Sequence, residues 1–324
     1  MGFNMDGLHQ QSQGEEKQNS PAEAIYLSAI QMNSGVSIED NLLTISTYLA
    51  KITKNTIGQH LVVLPECCLF FGGNDKQQLL LAQSSIATVG VEPHFTATSN
   101  NSLVTSLSSL AKQYQVYLVA GTIPILCEDN KQFTNSSLMF NPEGKLINRY
   151  DKIHLFDVDV RTSPEPINPE NKAEITKHNN NLYKESTFTK AGDKVKVAKL
   201  SFAQVGLTVC FDLRFPLLFN ALAQLGADII TVPSAFTRVT GEVHWETLLK
   251  ARAIENQVYI IASGQEGVHD NGRETWGHSM IISPWGEVLT CLAHGAGYIT
   301  VPFNPKEISR VRSSMPLKQM SFNK

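Results

Sequence analysis

The sequence predicts a mixed α/β (α+β) fold: one domain, residues 23–304, built as a four-layer α-β-β-α sandwich with an internal pseudo-duplication. Three observations carry this. Short apolar runs alternate with helix-period segments along most of the chain. The order of elements in the first half recurs in the second. Each half supplies a sheet with an apolar face, and two such faces bury most simply against each other with helices outside.

In the first half, "YLSAIQMN" (26–33) reads as a strand and "NLLTISTYLAKI" (41–52) as an amphipathic helix. "LVVLPE" (61–66) is a strand, residues 103–115 a helix, and "VYLVAGTIP" (116–124) a strand. "SSLMFNPEGKLINRY" (136–150) is a hairpin that turns at Asn141-Pro-Glu-Gly144. In the second half the order is strand "VGLTVC" (205–210), helix "PLLFNALAQLG" (216–226), strand "DIITVPSAF" (228–236) and helix "HWETLLKARAIENQ" (244–257). Strand "VYIIASGQ" (258–265) and hairpin "HSMIISPWGEVLT" (278–290) complete it. Local echoes support the duplication: "QVYLVAG" matches "QVYIIAS", and "SLMFNPEGKLI" matches "SMIISPWGEVL". Residues 1–22 read as a polar, mobile tail and 305–324 as a C-terminal extension.

Composition excludes several function classes. The 27 Lys and Arg nearly balance 30 Asp and Glu, and no basic stripe stands out, so nucleic acid is not an expected partner. No run of about eighteen apolar residues exists, so no membrane span is expected. The N-terminus lacks the apolar stretch of a signal peptide, and Asp6 stands where a myristoylation signal has Ser or Thr. The cysteines are Cys67, Cys68, Cys127, Cys210 and Cys291, an odd and scattered set without C-x-x-C. That argues against a disulfide framework or a zinc ribbon and for a reducing, cytoplasmic setting.

Three strand ends carry chemistry. In "VGLTVCFDLRFP" (205–216), Val205, Leu207 and Val209 line one face, and Cys210 stands at the junction between strand and helix. The positive end of the helix dipole would favour thiolate there, whereas a plain packing role is the ordinary alternative. Glu66 lies between "LVVLP" and "CCLFF", where desolvation would raise its pKa toward that of a useful base. Lys152 follows the first hairpin among Tyr150, Ile153, Leu155 and Phe156. Singly, each has a structural explanation as a loop group or ion-pair member. Together they supply a nucleophile, a base and a fixed cation for a developing oxyanion. Only one copy of the duplication has the cysteine, since "IQMN" stands where "TVCF" stands in the other.

These residues, in "LPE", "DKIHLFDVDV" and "GLTVCFDLRFP", resemble the Glu-Lys-Cys triad of the nitrilase superfamily of carbon–nitrogen hydrolases. Residues 233–267 and 272–289 resemble its Nit branch in particular. The resemblance implies the α-β-β-α fold, a homodimer or larger homo-oligomer, a small-molecule amide substrate, and no metal or organic cofactor. It implies that Glu66 takes the Cys210 proton, that the thiolate forms a thioester, and that Lys152 and the Phe211 amide stabilise the oxyanion. Glu66 would then protonate departing ammonia and activate water. Glu185, in "LYKESTFTKAG" (182–192), corresponds to a second glutamate that positions Lys152 or substrate. The polar stretch before it reads as an inserted loop at about 162–181, near the mouth of the site.

"SGQEGVHDNGRETWGHS" (263–279), with Gln265, Gly267 and His269, resembles Nit members that hydrolyse deaminated glutathione. The alternatives are an omega-amidase acting on 2-oxoglutaramate and, outside the enzymes, a weakly active binding protein on the same fold. Arg238 in "AFTRVTGEVHW" is a candidate for a substrate carboxylate. A Cys-His protease would instead use His154, His244 or His278, which are expected to be structural. Arg252 with Glu255 is expected as a helix pair, and Asp212 and Arg214 as supports of the turn after Cys210.

Overall fold

The computed structural model describes residues 24–85, 102–159 and 182–317. The tail expected at 1–22 and the inserted loop expected at 162–181 lie outside the described residues. In the first half, β1 (Ile25–Gln31), α1 (Ile38–Asn55), β2 (Gln59–Val63), α2 (Asp75–Ser85), α3 (Ser102–Tyr114) and β3 (Tyr117–Val119) succeed one another. β4 (Ile123–Leu126), β5 (Phe133–Phe140) and β6 (Leu146–Asp151) follow. β1, β2 and β3 run parallel, and β5 closes antiparallel on β3 with β4 and β6 on β5.

The strand expected over 116–124 is broken into β3 and β4. Gly121 adopts φ 50°, and a Cβ there would sit 1.9 Å from the Pro65 carbonyl oxygen. The chain therefore turns where it presses on the loop that leads to Glu66. α2 was not expected, because "DKQQLLLAQSS" lacks a helical apolar period.

A short ladder, β7 (Asp157–Asp159) with β8 (Leu182–Lys184), precedes the second half. There, β9 (Val197–Lys199), β10 (Gln204–Leu207), α4 (Pro216–Gln224), β11 (Ile229–Ser234), α5 (Arg238–Asn256) and β12 (Tyr259–Gly264) lead to β13 (Glu266–Val268) and β14 (Glu274–Trp276). β15 (Ser279–Ile282), β16 (Val288–Leu292), β17 (Gly297–Pro302) and α6 (Pro305–Ser314) end the described chain. β10, β11 and β12 are parallel, flanked antiparallel by β9 and by β15 with β16. The first sheet has the same scheme, with β17 from the far end of the chain as the antiparallel neighbour of β1.

α5 starts at Arg238, six residues before the expected 244. Gly241 conceals that turn in the sequence, since glycine disfavours helix interiors. The structure requires it, because a Cβ there would come within 2.3 Å of the Trp276 ring.

Strand alternation sorts the core. Leu61 and Val63 share one buried cluster with Val205, Leu207, Ile230 and Val232 of the second sheet. Val62 and Leu64 face the other way, clustering with Ile45, Leu49 and Ile52 of α1 and Leu103, Leu107 and Leu110 of α3. Phe219 and Leu222 of α4 and Trp245, Leu249 and Ala253 of α5 cover the second sheet. α6, in the region read as an extension, docks through buried Ile308 and Val311. Packing of this kind predicts that Leu49→Ala destabilises the protein by about 2–5 kcal/mol in chemical denaturation. Leu43→Ala, on the 66% exposed face of the same helix, should stay within about 0.5 kcal/mol.

Candidate active site

The ends of both sheets converge on one cluster. β2 runs out through Leu64 and Pro65 to Glu66, and β6 ends one residue before Lys152. The Lys152 Nζ lies 2.9 Å from Glu66 Oε1 and 2.9 Å from Glu185 Oε2. Lys152 is 2% exposed and Glu66 5% exposed. The second Glu66 oxygen accepts from the backbone N–H of Ala235, 3.0 Å away just past β11. Glu185, on the single turn after β8, accepts at Oε2 from the Phe156 amide at 2.7 Å. Asn135 on β5 donates through Nδ2 to Glu66 Oε1 at 2.9 Å and to Glu185 Oε1 at 3.4 Å.

Cys210 is 7% exposed and opens a 3-10 turn (Cys210–Arg214) ahead of α4. Its φ of 48° is a left-handed conformation that a side-chain-bearing residue adopts only when its surroundings enforce it. Fully buried Asp212 does so. Its carboxylate accepts from the Val209 amide (2.9 Å), the Tyr150 hydroxyl (2.7 Å) and both the backbone N–H and Nδ1 of His154 (3.1 and 2.7 Å). Arg252 adds two bonds to the Leu213 carbonyl, at 3.0 and 2.8 Å, besides its pairing with Glu255. His154 is thus committed to Asp212 and stacks on Phe215 at 3.6 Å, and His244 bonds Arg214 at 3.1 Å. His278 bonds the Trp276 carbonyl through Nδ1 at 2.8 Å.

The titration of these groups differs from both sequence expectations. Burial pushes Glu66 up, but the Lys152 charge and the hydrogen bonds from Lys152, the Cys210 thiol and the Ala235 amide outweigh it and hold the carboxyl below its ordinary value. Burial followed by the Glu66 charge pushes the Cys210 thiol well above its ordinary value, against the opposing pull of Lys152. Burial disfavours charge on Lys152, yet Glu185 and Glu66 together raise it well above its ordinary value. Burial and the neighbouring carboxylate therefore favour the thiol form of Cys210, not the thiolate that a helix dipole alone would suggest.

The structure brings Glu66, Lys152, Cys210 and Glu185 together, with the Phe211 backbone beside the thiol on the same turn. It does not bring Arg238 free to the site: its largely exposed guanidinium pairs with Glu274 at 3.1 Å. Asn135 escaped the sequence reading, for a lone Asn in "FTNSSLMF" gives no periodic signal. The Gln-x-Gly-x-His segment proves to be scaffolding. Gln265 Nε2 donates to the Glu66 carbonyl (3.0 Å) and Ser34 Oγ (2.8 Å), and Ser34 Oγ donates to the Cys68 carbonyl (3.1 Å). His269 spans the Ser34 carbonyl and Thr275, and burial lowers its pKa to about 4. Half-buried Cys67 and buried Cys68 follow Glu66 directly, with Cys68 pushed up to about 12 by burial.

The profile of the carbon-nitrogen hydrolase family matches residues 27–313. The chain belongs to that family. It is a hydrolase of non-peptide carbon–nitrogen bonds in amides. It is 35% identical over 291 residues to the deaminated glutathione amidase of Yersinia enterocolitica, covering 90% of each chain. It is 32% identical over 284 residues to omega-amidase NIT3 of Saccharomyces cerevisiae, covering 87% of this chain and 88% of that one. The crystal structure of Saccharomyces cerevisiae Nit3, a member of branch 10 of the nitrilase superfamily, superposes with a TM-score of 0.75 at 28% identity. That match covers 92% of this chain and 96% of Nit3.

Removing the shared cation strands two buried carboxylates. Lys152→Met should destabilise the protein by about 3–5 kcal/mol at neutral pH. The depressed Glu66 pKa contributes stability above its ordinary 4.5, which is lost as pH falls through the folded value. In the variant the stranded carboxylates take up protons first, so the difference between the two proteins narrows toward acid. Urea titrations at a series of pH values measure this, and a pH-independent difference would contradict the assignment.

Proposed function

We propose that the protein is an amidase that cleaves a small linear amide through a Cys210 thioester, with deaminated glutathione as the substrate. The observation that carries this reading is the Glu66 carboxylate held by the Lys152 ammonium at 2.9 Å, both buried beside the buried Cys210 thiol. Glu66 accepts the thiol proton as sulfur attacks the amide carbonyl, so charge separates only when substrate is in place. The Lys152 ammonium and the Phe211 N–H face the oxyanion, and one such preorganised donor contributes about 3–4 kcal/mol. Glu66 passes its proton to the departing nitrogen, the thioester forms, and a water activated by Glu66 releases the acid and restores the thiol. Glu185 and Asn135 hold Lys152 and Glu66 in register and transfer no proton.

The leaving group differs from the ammonia expected above. In deaminated glutathione the scissile amide joins a 2-oxoglutaryl group to cysteinylglycine, so the departing nitrogen is that dipeptide's amine. Ammonia leaves only from a primary amide such as 2-oxoglutaramate, the substrate of the second reading, which the likeness to omega-amidase NIT3 supports. The free cysteines fit a reducing, cytoplasmic setting. Exposed Val239 and Val243, one turn apart on α5, support self-association through that helix.

Release of 2-oxoglutarate from deaminated glutathione and from 2-oxoglutaramate, with Cys210→Ala as control, tests the reading. The expected result is a higher kcat/KM for deaminated glutathione and no turnover by the variant; a preference for 2-oxoglutaramate selects the second reading. The pH dependence follows from the site's charges. A carboxylate held below 4.5 and a thiol held above 9.0 leave the reactive pair intact across the neutral range. The kcat/KM should therefore be level from about pH 5 to 9 and fall below that as Glu66 protonates. An acid limb near pH 6–7 would assign the base to a histidine instead.

A further inference from the structure

We propose that Arg273 recognises the outer carboxylate of the substrate and thereby selects a two-carboxylate amide over a one-carboxylate one. This rests on the amidase reading above. Among the described residues there are seven arginines, and five of them pair with an acid: Arg149, Arg238, Arg252, Arg310 and Arg312. Arg214 and Arg273 do not. Arg214 ends the turn that opens at Cys210, and Arg273 lies over Tyr183, two residues before Glu185.

Arg273 immediately precedes the return strand of the β13–β14 hairpin, with its amide on Asn271 Oδ1 at 3.1 Å and its carbonyl accepting from the His269 amide at 3.0 Å. Its guanidinium lies over two rings, Phe71 at 5.1 Å and Tyr183 at 4.9 Å. Phe71 follows Glu66 by five residues, and Tyr183 precedes Glu185 by two. The cation is therefore held by the same two segments that deliver the active-site carboxylates. From Tyr183 a row of rings runs to Phe156 (5.1 Å) and on to Phe211 (5.1 Å), the residue after Cys210.

Stacking occupies the faces of a guanidinium and leaves its N–H edge unused. The Arg273 Nε is buried and bonds to nothing among the described residues. A planar cation stacked on rings, whose N–H edge has neither a hydrogen bond nor an acid partner among the described residues, matches a carboxylate in bidentate geometry. Buried His269 supports the position, because it is pinned to Ser34 and Thr275 and packs edge-on against Phe71 at 4.4 Å.

The two unpaired arginines differ in reach. Arg214 is four residues from Cys210 and lies over Phe211, the ring at the Cys210 end of the row (5.8 Å), whereas Arg273 lies over Tyr183 at the other end. Arg273 is thus the outer of the two. Deaminated glutathione carries one carboxylate on its acyl end and a second on its terminal glycine. 2-Oxoglutaramate carries only the first. A cation beyond the aromatic row discriminates between them by pairing with the glycine carboxylate.

The test compares Arg273→Gln and Arg273→Lys with the wild type on three substrates: deaminated glutathione, its terminal glycinamide analogue, and 2-oxoglutaramate. For the wild type, the glycinamide should show a KM roughly 10–100-fold higher than the acid, the range for one charge-assisted contact. Arg273→Gln should erase that difference and lower the ratio of kcat/KM for deaminated glutathione over 2-oxoglutaramate by a similar factor. Arg273→Lys should restore part of it. A wild type indifferent to the glycinamide, or a variant that weakens acid and glycinamide alike, overturns the assignment while leaving the amidase standing. Absence of Cys210-dependent turnover on all three substrates would instead overturn the amidase reading, and this inference with it.

Discussion

A single buried ammonium shared by two carboxylates is the interaction on which the site depends. Taking any one of these charges out of water costs several kcal/mol, and only their mutual contact and the surrounding hydrogen bonds offset it. Lys152 meets Glu66 and Glu185 at 2.9 Å each, Asn135 bridges the two acids, and the amides of Ala235 and Phe156 take the remaining oxygens. The contributors come from both halves of the chain. Glu66, Asn135 and Lys152 leave the first sheet and Ala235 leaves the second, so packing of the sheets and assembly of the site are one event. Burial first, and the Glu66 charge after it, hold the proton on Cys210 against the pull of Lys152.

The opposing constraint is geometric. Cys210 can present its sulfur at a strand end only from a left-handed backbone, and nothing in its own side chain favours that. Asp212 offsets the strain by gathering bonds from Val209, Tyr150 and His154, while Arg252 fixes the carbonyl of Leu213. These residues touch no reacting atom. They set the sulfur's direction toward Glu66, much as Gln265 and Ser34 set the loop on which Glu66 rides. Under the proposed mechanism, preorganisation of this kind would let a neutral thiol serve as a nucleophile, with the base already beside the proton it takes.

The duplicated architecture was legible from the chain because strand and helix periods are local properties. Alternation in "VGLTVC" placed Val205, Leu207 and Val209 on one face, and all three share one buried cluster. The echo between "QVYLVAG" and "QVYIIAS" exposed the repeat. Where expectation and structure differ, the cause is a contact distant in sequence. The strand at 116–124 breaks because Gly121 meets Pro65, and α5 is longer than its pattern because Gly241 meets Trp276.

The same division holds for the site. Sequence by itself determined which residues stand at the strand ends, and so it was enough to single out Glu66, Lys152 and Cys210 as candidate base, cation and nucleophile. Only the tertiary structure decided their charges: the pKa of Glu66 falls where burial alone would raise it, and that of Cys210 rises where a helix dipole alone would lower it. It also decided that Asn135 belongs to the cluster, that Arg238 is engaged by Glu274, and that Arg273 has no acid partner among the described residues. The reason is that a residue's type and local period are written along the chain. Its electrostatic environment is a sum over neighbours that folding brings from tens to hundreds of residues away.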